Sequence, residues 1–144
     1  MKITAHFSVE ELCKSSTAKS LGITNSPNQL HVINLTALCV KVLEPLREWW
    51  GKEIKIGSGY RCIALNRAVG GVHNSQHIIG QAADLCIDGD IEKGKKWFAY
   101  IRDHLEFDQL IWEHNQKTGS YWVHVSYDAQ GRNRHQVISN LEKK

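Results

Sequence analysis

Ser75-Gln76-His77-Ile78-Ile79-Gly80-Gln81-Ala82-Ala83-Asp84 runs straight into Leu85-Cys86-Ile87, and how this stretch is read decides the fold. The apolar run from Leu85 to Ile87 reads as a buried strand. Gly80 allows a tight bend before it, because glycine tolerates backbone angles that other residues avoid. A turn therefore carries His77, and the start of a strand carries Asp84, seven positions on. Both are good metal ligands. A third is found in Trp122-Val123-His124-Val125-Ser126, a second strand-like run in which the imidazole of His124 has apolar neighbours and needs a polar partner. Two histidines and one carboxylate, with a fourth position left open, is the donor set of a catalytic zinc (Zn2+) site rather than a structural one.

Upstream, Phe7-Ser8-Val9-Glu10-Glu11-Leu12 reads as a short helix start, with Ser8 as cap and Glu11 placed as in a capping box. The polar stretch from Lys14 to Asn25 reads as a loop. Ser26-Pro27-Asn28-Gln29 predicts the start of a longer helix, with Ser26 as cap and Pro27 in the first helical position. Leu35, Leu38, Val42, Leu46 and Trp49 then recur every three or four residues, an apolar stripe on a helix of about six turns. Pro45 predicts a kink or an end near Glu44, and Trp49 and Trp50 are expected in the core. Glu53-Ile54-Lys55-Ile56-Gly57 alternates as a strand does, and Tyr60 to Val69 reads as a short helix closed by Gly70-Gly71. Downstream, Asp90 caps a helix reaching about His104 that turns Ile91, Trp97, Phe98 and Ile101 inward. Phe107 to Trp112 and Tyr121 to Tyr127 are β-favouring runs joined by a polar loop, Asn115 to Ser120, as an antiparallel hairpin. From Asp128 the chain is polar and basic, and its end, Glu142-Lys143-Lys144, is expected to fray.

A length of 144 residues suits a single domain spanning 1–144. A hydrophobic content of 42% and a charged content of 23% place it among soluble globular chains. The net charge of +3 is spread along the chain, which argues against a nucleic-acid partner. Arg132, Arg134 and the nearby lysines do not form a basic stripe interleaved with aromatics. No apolar run is long enough to cross a bilayer, so no membrane insertion is expected. Met1 to Ser8 has no apolar core of signal-peptide length, so synthesis in the cytoplasm is expected unless a leader has been removed. A monomer is expected. Cys13, Cys39, Cys62 and Cys86 include no Cys-x-x-Cys pair, against a thiolate metal site. Cys39 and Cys86 are expected to be buried free thiols, and spacing alone fixes no disulfide.

Ser58-Gly59-Tyr60-Arg61, Ser75-x-His77-x-x-Gly80-x-Ala82-x-Asp84 and Trp122-Val123-His124-Val125-Ser126 together resemble the M15 zinc peptidases. These include D-alanyl-D-alanine carboxypeptidases and related peptidoglycan peptidases such as phage endolysins. The resemblance runs from about Phe7 to Tyr127. It implies an α+β fold, a small antiparallel sheet flanked by helices that is also seen in the hedgehog signalling domain. The element order read above agrees with that layout. It further implies His77, Asp84 and His124 as zinc ligands and Arg61 as the group that holds the substrate carbonyl or the charge developing on it. A guanidinium suits that task, being always charged and forked. Ser75 is expected either to bond substrate or to orient the ligand loop.

A general base is also needed. Some relatives carry a glutamate three residues before the last histidine, where this chain has Tyr121. Glu113 is the candidate instead: Gln109, Ile111 and Glu113 share one strand face, with Asp108 on the other. His114 is a weaker candidate for the same proton. Gln109 could polarise substrate, and Trp122, on the face of His124, could form a wall of the cleft. The implied activity is hydrolysis of peptidoglycan stem peptides at the bacterial cell wall, first as a D-Ala-D-Ala carboxypeptidase. The alternatives are an endopeptidase (endolysin) and a zinc-bound recognition domain without catalysis.

Overall fold

The structure, a computed structural model, describes residues 1–139. The expected fraying at Glu142-Lys143-Lys144 lies outside the described residues. Ser8 accepts a hydrogen bond from the Glu11 amide and starts α1 (Val9–Cys13). A second helix, α2 (Ser16–Leu21), occupies the stretch expected to be a loop. Ser15 caps it by accepting from the Ala18 amide, and Gly22 stops it at φ +69°. Only Ala18 of this helix is buried, so apolar periodicity could not reveal it.

The apolar stripe forms one continuous helical rod: α3 (Gln29–Leu38), a π segment Cys39–Leu43, and α4 (Glu44–Trp50). The cap is Asn28 rather than Ser26. Asn28 accepts from the His31 amide at 2.9 Å while the His31 ring reaches back to the Asn28 amide at 3.3 Å. Pro45 does not end the rod. Proline lacks an N–H, and the π winding just before it, where the Glu44 amide bonds the Cys39 carbonyl, absorbs the interruption. Leu35, Leu38, Val42 and Leu46 are fully buried. Trp49 is a correction: it is 45% exposed and stacks on Tyr100 at 4.2 Å. The inward position in the last turn falls to Trp50, edge-on to Trp97, and a neighbouring residue points about 100° away.

Among the described residues, five strands follow the order β1-β2-β4-β3-β5: β1 (Lys55–Ser58), β2 (Ala82–Cys86), β3 (Gln109–Asn115), β4 (Ser120–Ser126) and β5 (Gln136–Ile138). The first four pair antiparallel, and β5 lies parallel to β3. The edge strand β5 arises within the segment read as a polar tail. All of its residues are exposed, so no alternation marked it. The strands β3 and β4 extend further than the apolar runs, which shortens their connection and places Glu113 inside β3. A short helix α5 (Ile63–Ala68) follows β1, and α6 (Ile91–His104), capped by Asp90, follows β2. Among the described residues no helix is long and apolar enough to cross a membrane.

Alternation along the strands separates two faces. Ala83 and Leu85, Val123 and Val125, and Leu110 and Trp112 join the core with Trp97, Phe98 and Ile101 of α6 and the leucines of the rod. The intervening residues, among them Asp84, His124 and Glu113, belong to the other face. Cys39 is buried, but Cys86 is only partly so, and its thiol donates to Asp88 at 3.4 Å. It is an outer-face residue of β2, which corrects the expectation of burial.

Candidate metal centre and its cleft

Gln76–Ile79 wind into a 3-10 turn capped by Ser75, whose hydroxyl accepts from the His77 amide at 3.1 Å. Gly80 ends the turn at φ +81°, with its Cα side packed so closely on α3 that an added Cβ would lie 2.6 Å from the His31 carbonyl oxygen. The Asn34 amide of α3 donates to the Ile79 carbonyl at 2.8 Å and fixes the same turn. His77 is 2% exposed. Its Nδ1 lies 2.7 Å from the Gly59 carbonyl, just past β1. A carbonyl only accepts, so Nδ1 carries hydrogen and Nε2 is turned toward Asp84.

Asp84 and His124 are direct partners across β2 and β4. Asp84 Oδ1 lies 3.0 Å from His124 Nδ1 and 3.3 Å from His77 Nε2. Ligand atoms of all three side chains fall within 4.8 Å of one another, so His77, Asp84 and His124 form a group that could hold a metal ion. The donor chemistry fits a cation. Two ring nitrogens and a carboxylate oxygen converge at close range, and a shared cation would be held by all three. The 3.0 and 3.3 Å separations of Asp84 from the two histidines are close to the edge of a tetrahedron with ~2.0 Å arms, roughly 3.3 Å. Burial would raise the Asp84 carboxyl, but the charge of His77 and the hydrogen bonds from His124 and His77 hold it well below the usual carboxylate range. It is ionised, as a ligand must be.

The three side chains line a cleft of about 590 Å³, a size suited to a short peptide. Arg61, Ser75, Gln109, Glu113 and Trp122 also line it, so the structure brings these expected site residues to one place, with His114 the exception. Arg61 reaches Ser75 Oγ at 3.4 Å, and its buried Nε has no partner among the described residues. Burial lowers the pKa of its guanidinium, against the opposing fields of Asp84 and Glu113. Ser75 therefore orients both the ligand turn and Arg61. Ile111 is directly opposite His124, and Glu113 is opposite Trp122, so Glu113 stands diagonally across from the histidine. That separation leaves room for a water and a substrate group. Gln109 is held by Gln136 of β5 at 2.8 Å. His114 points to the other face, stacked on Tyr121 at 4.2 Å, and is not a cleft residue.

A clasp at the far end of the cleft had no signal in the sequence. Asp108 accepts from Gln76 Nε2 at 2.8 Å, from Arg134 Nε at 2.8 Å, and from Arg134 Nη2 at 2.9 Å. Hydrogen bonds from Arg134 hold the Asp108 carboxyl at about 2 against the effect of burial. Gln76 and Arg134 are 58 positions apart and neither sits in an apolar pattern, so only the fold brings them together.

Residues 5–126 match the family model described as Peptidase M15. No curated protein matches the chain.

Proposed function

The chain belongs to the peptidase M15 family of zinc metallopeptidases, and from that premise we propose that it hydrolyses peptidoglycan stem peptides as a single zinc peptidase domain, as a D-Ala-D-Ala carboxypeptidase. The observation that carries this reading is the convergence of His77, Asp84 and His124 in a cleft that also holds Glu113 and Arg61.

His77, Asp84 and His124 would hold the zinc ion. When bound, zinc lowers the pKa of water toward neutrality and polarises a carbonyl. The remaining work falls to groups of this chain. Gly59 fixes the His77 ring through Nδ1, which keeps Nε2 available. Glu113 takes a proton on its carboxylate from the attacking water and returns it to the departing amine. Arg61, braced by Ser75, presents its fork to the carbonyl oxygen as negative charge develops there. Trp122 walls the cleft beside Glu113 and limits water at the reacting bond. With that substrate, the activity would be exerted at the bacterial cell wall.

The test is to load the protein with zinc, incubate it with stem pentapeptide and with purified sacculi, and identify the products by mass spectrometry. Release of the terminal D-alanine supports the carboxypeptidase. Cleavage only of internal stem or bridge bonds replaces it with an endopeptidase. Stoichiometric zinc and peptide binding without any cleavage would make the domain a recognition module.

A further inference from the structure

Arg134 was not required by any part of that mechanism, yet its side chain lines the cleft. It lies beyond the residues matched by the family model, in the segment leading to β5. Its side chain is 58% exposed. The guanidinium is not free to wander. Asp108 engages its Nε and Nη2 edge, and the Arg134 amide also donates to Asp108 at 3.1 Å. Asp108 is in turn held by Gln76, the neighbour of His77, so the clasp is tied to the ligand turn itself. A bidentate contact along one edge leaves the Nη1 hydrogens of an arginine unused. Arg134 is thus a firmly mounted donor whose other edge has no hydrogen-bond partner among the described residues.

Its position relative to the metal group follows from the register. Asp108 immediately precedes Gln109 in β3, while Ile111 is level with His124 and Glu113 lies beyond it. Glu113 and the Asp108–Arg134 clasp therefore stand on opposite sides of the metal row, with roughly 10 Å of strand between Asp108 and Ile111. A peptide lying in the cleft with its reacting carbonyl beside the metal group would extend past Glu113 at one end and past Arg134 at the other. Arg61 is committed near Ser75 and the metal group. The cleft thus has one arginine at the reacting bond and a second away from it.

We infer that Arg134 binds a carboxylate of the substrate, so that it sets which peptides are accepted rather than how fast the bond breaks. This rests on the peptidase reading above. The carboxylate could be the free C-terminus of the peptide or an internal acidic group of the stem. Both present the same planar pair of oxygens to the guanidinium.

The experiment compares zinc-loaded wild type, Arg134→Gln and Arg134→Lys on three stem-type pentapeptides: one unmodified, one amidated at the C-terminus, one amidated at the internal carboxylate. Kinetics are read as separate KM and kcat, and calorimetry measures binding of the same peptides. For the unmodified peptide, Arg134→Gln is expected to raise KM about tenfold or more with kcat changed by less than about threefold, because an interaction made equally in ground and transition states is lost. Arg134→Lys should recover part of the affinity through charge alone. For one of the amidated peptides the wild type should already bind weakly and Arg134→Gln should add nothing, which identifies the carboxylate. Equal loss on all three peptides, or a loss of kcat and melting temperature with unchanged affinity, would show Arg134 to be only a structural clasp and overturn the inference. Binding that depends on Arg134 without cleavage by the wild type would overturn the peptidase reading while leaving Arg134 as a carboxylate anchor.

Discussion

Glu113 stands diagonally from His124 on the neighbouring strand and shares the cleft with Arg61. A group in that place can move a proton without touching the metal ligands. Glu113→Gln is therefore expected to lower kcat about 10²- to 10⁴-fold, the usual share of a general base. Bound zinc and melting temperature should stay as in the wild type. A metal assay beside a steady-state assay checks this, and preserved activity would remove Glu113 from the mechanism. His124→Ala should differ in kind, abolishing zinc binding together with activity, since it removes one of the group of donors around Asp84. The convergence of the three candidate ligands was legible in the sequence because turn, strand and glycine signals flank them. The cleft face of Glu113 was legible by simple alternation along β3. The support of His77 by the Gly59 carbonyl was not, because a backbone acceptor leaves no residue type to read.

At the scale of the element, two glycines test how tightly the site is mounted. Gly80 closes the ligand turn with a positive φ and sits against α3. Gly80→Ala combines backbone strain with a clash on the His31 carbonyl, and about 2–4 kcal/mol of stability should be lost. Zinc affinity should fall with it, since His77 rides on that turn. Thermal melting and a zinc titration on the same preparation measure both. Gly94 lies within α6, where an added Cβ would come 2.9 Å from Trp112 and 3.0 Å from Ile87. Alanine is favoured over glycine in a helix by about 1 kcal/mol, but overpacking against a buried indole costs about 1–3 kcal/mol. Gly94→Ala should thus be neutral to destabilising, with a lower denaturation midpoint and unchanged zinc binding. A clear rise in the midpoint would show that α6 can shift away from the sheet. Elements with strong apolar stripes were readable, as with the rod from Gln29 to Trp50. The helix α2 and strand β5 were not, because each buries too little to impose a period.

For the molecule as a whole, the Asp108–Arg134 clasp joins the segment before β5 to the ligand turn and gives acid sensitivity a definite sign. The Asp108 carboxyl titrates at about 2 in the folded chain against 3.8 ordinarily. A lowered folded value means that the contribution is fully present above about pH 4 and is lost as the pH falls toward 2. Because Arg134 is more than half exposed, solvent screening limits it to about 1 kcal/mol. Asp108→Asn should remove this part of the acid dependence, read from denaturant midpoints at pH 5 and pH 3. Metal removal should act more strongly: at a free zinc concentration 100 times its Kd, binding adds about 2.7 kcal/mol, so chelation should lower the melting temperature by several degrees. No change on chelation would mean that the donor group holds no zinc. The sequence by itself indicated most of the helices and strands, the three candidate ligands and the face of Glu113, because periodicity, turn chemistry and residue type are local properties. Only the tertiary structure decided the parallel edge strand, the tie from Gly59 to His77 and the clasp of Gln76, Asp108 and Arg134. Those depend on which distant segments the packed sheet sets side by side, and hydrogen bonds between segments far apart in the chain leave no mark on the spacing within either one.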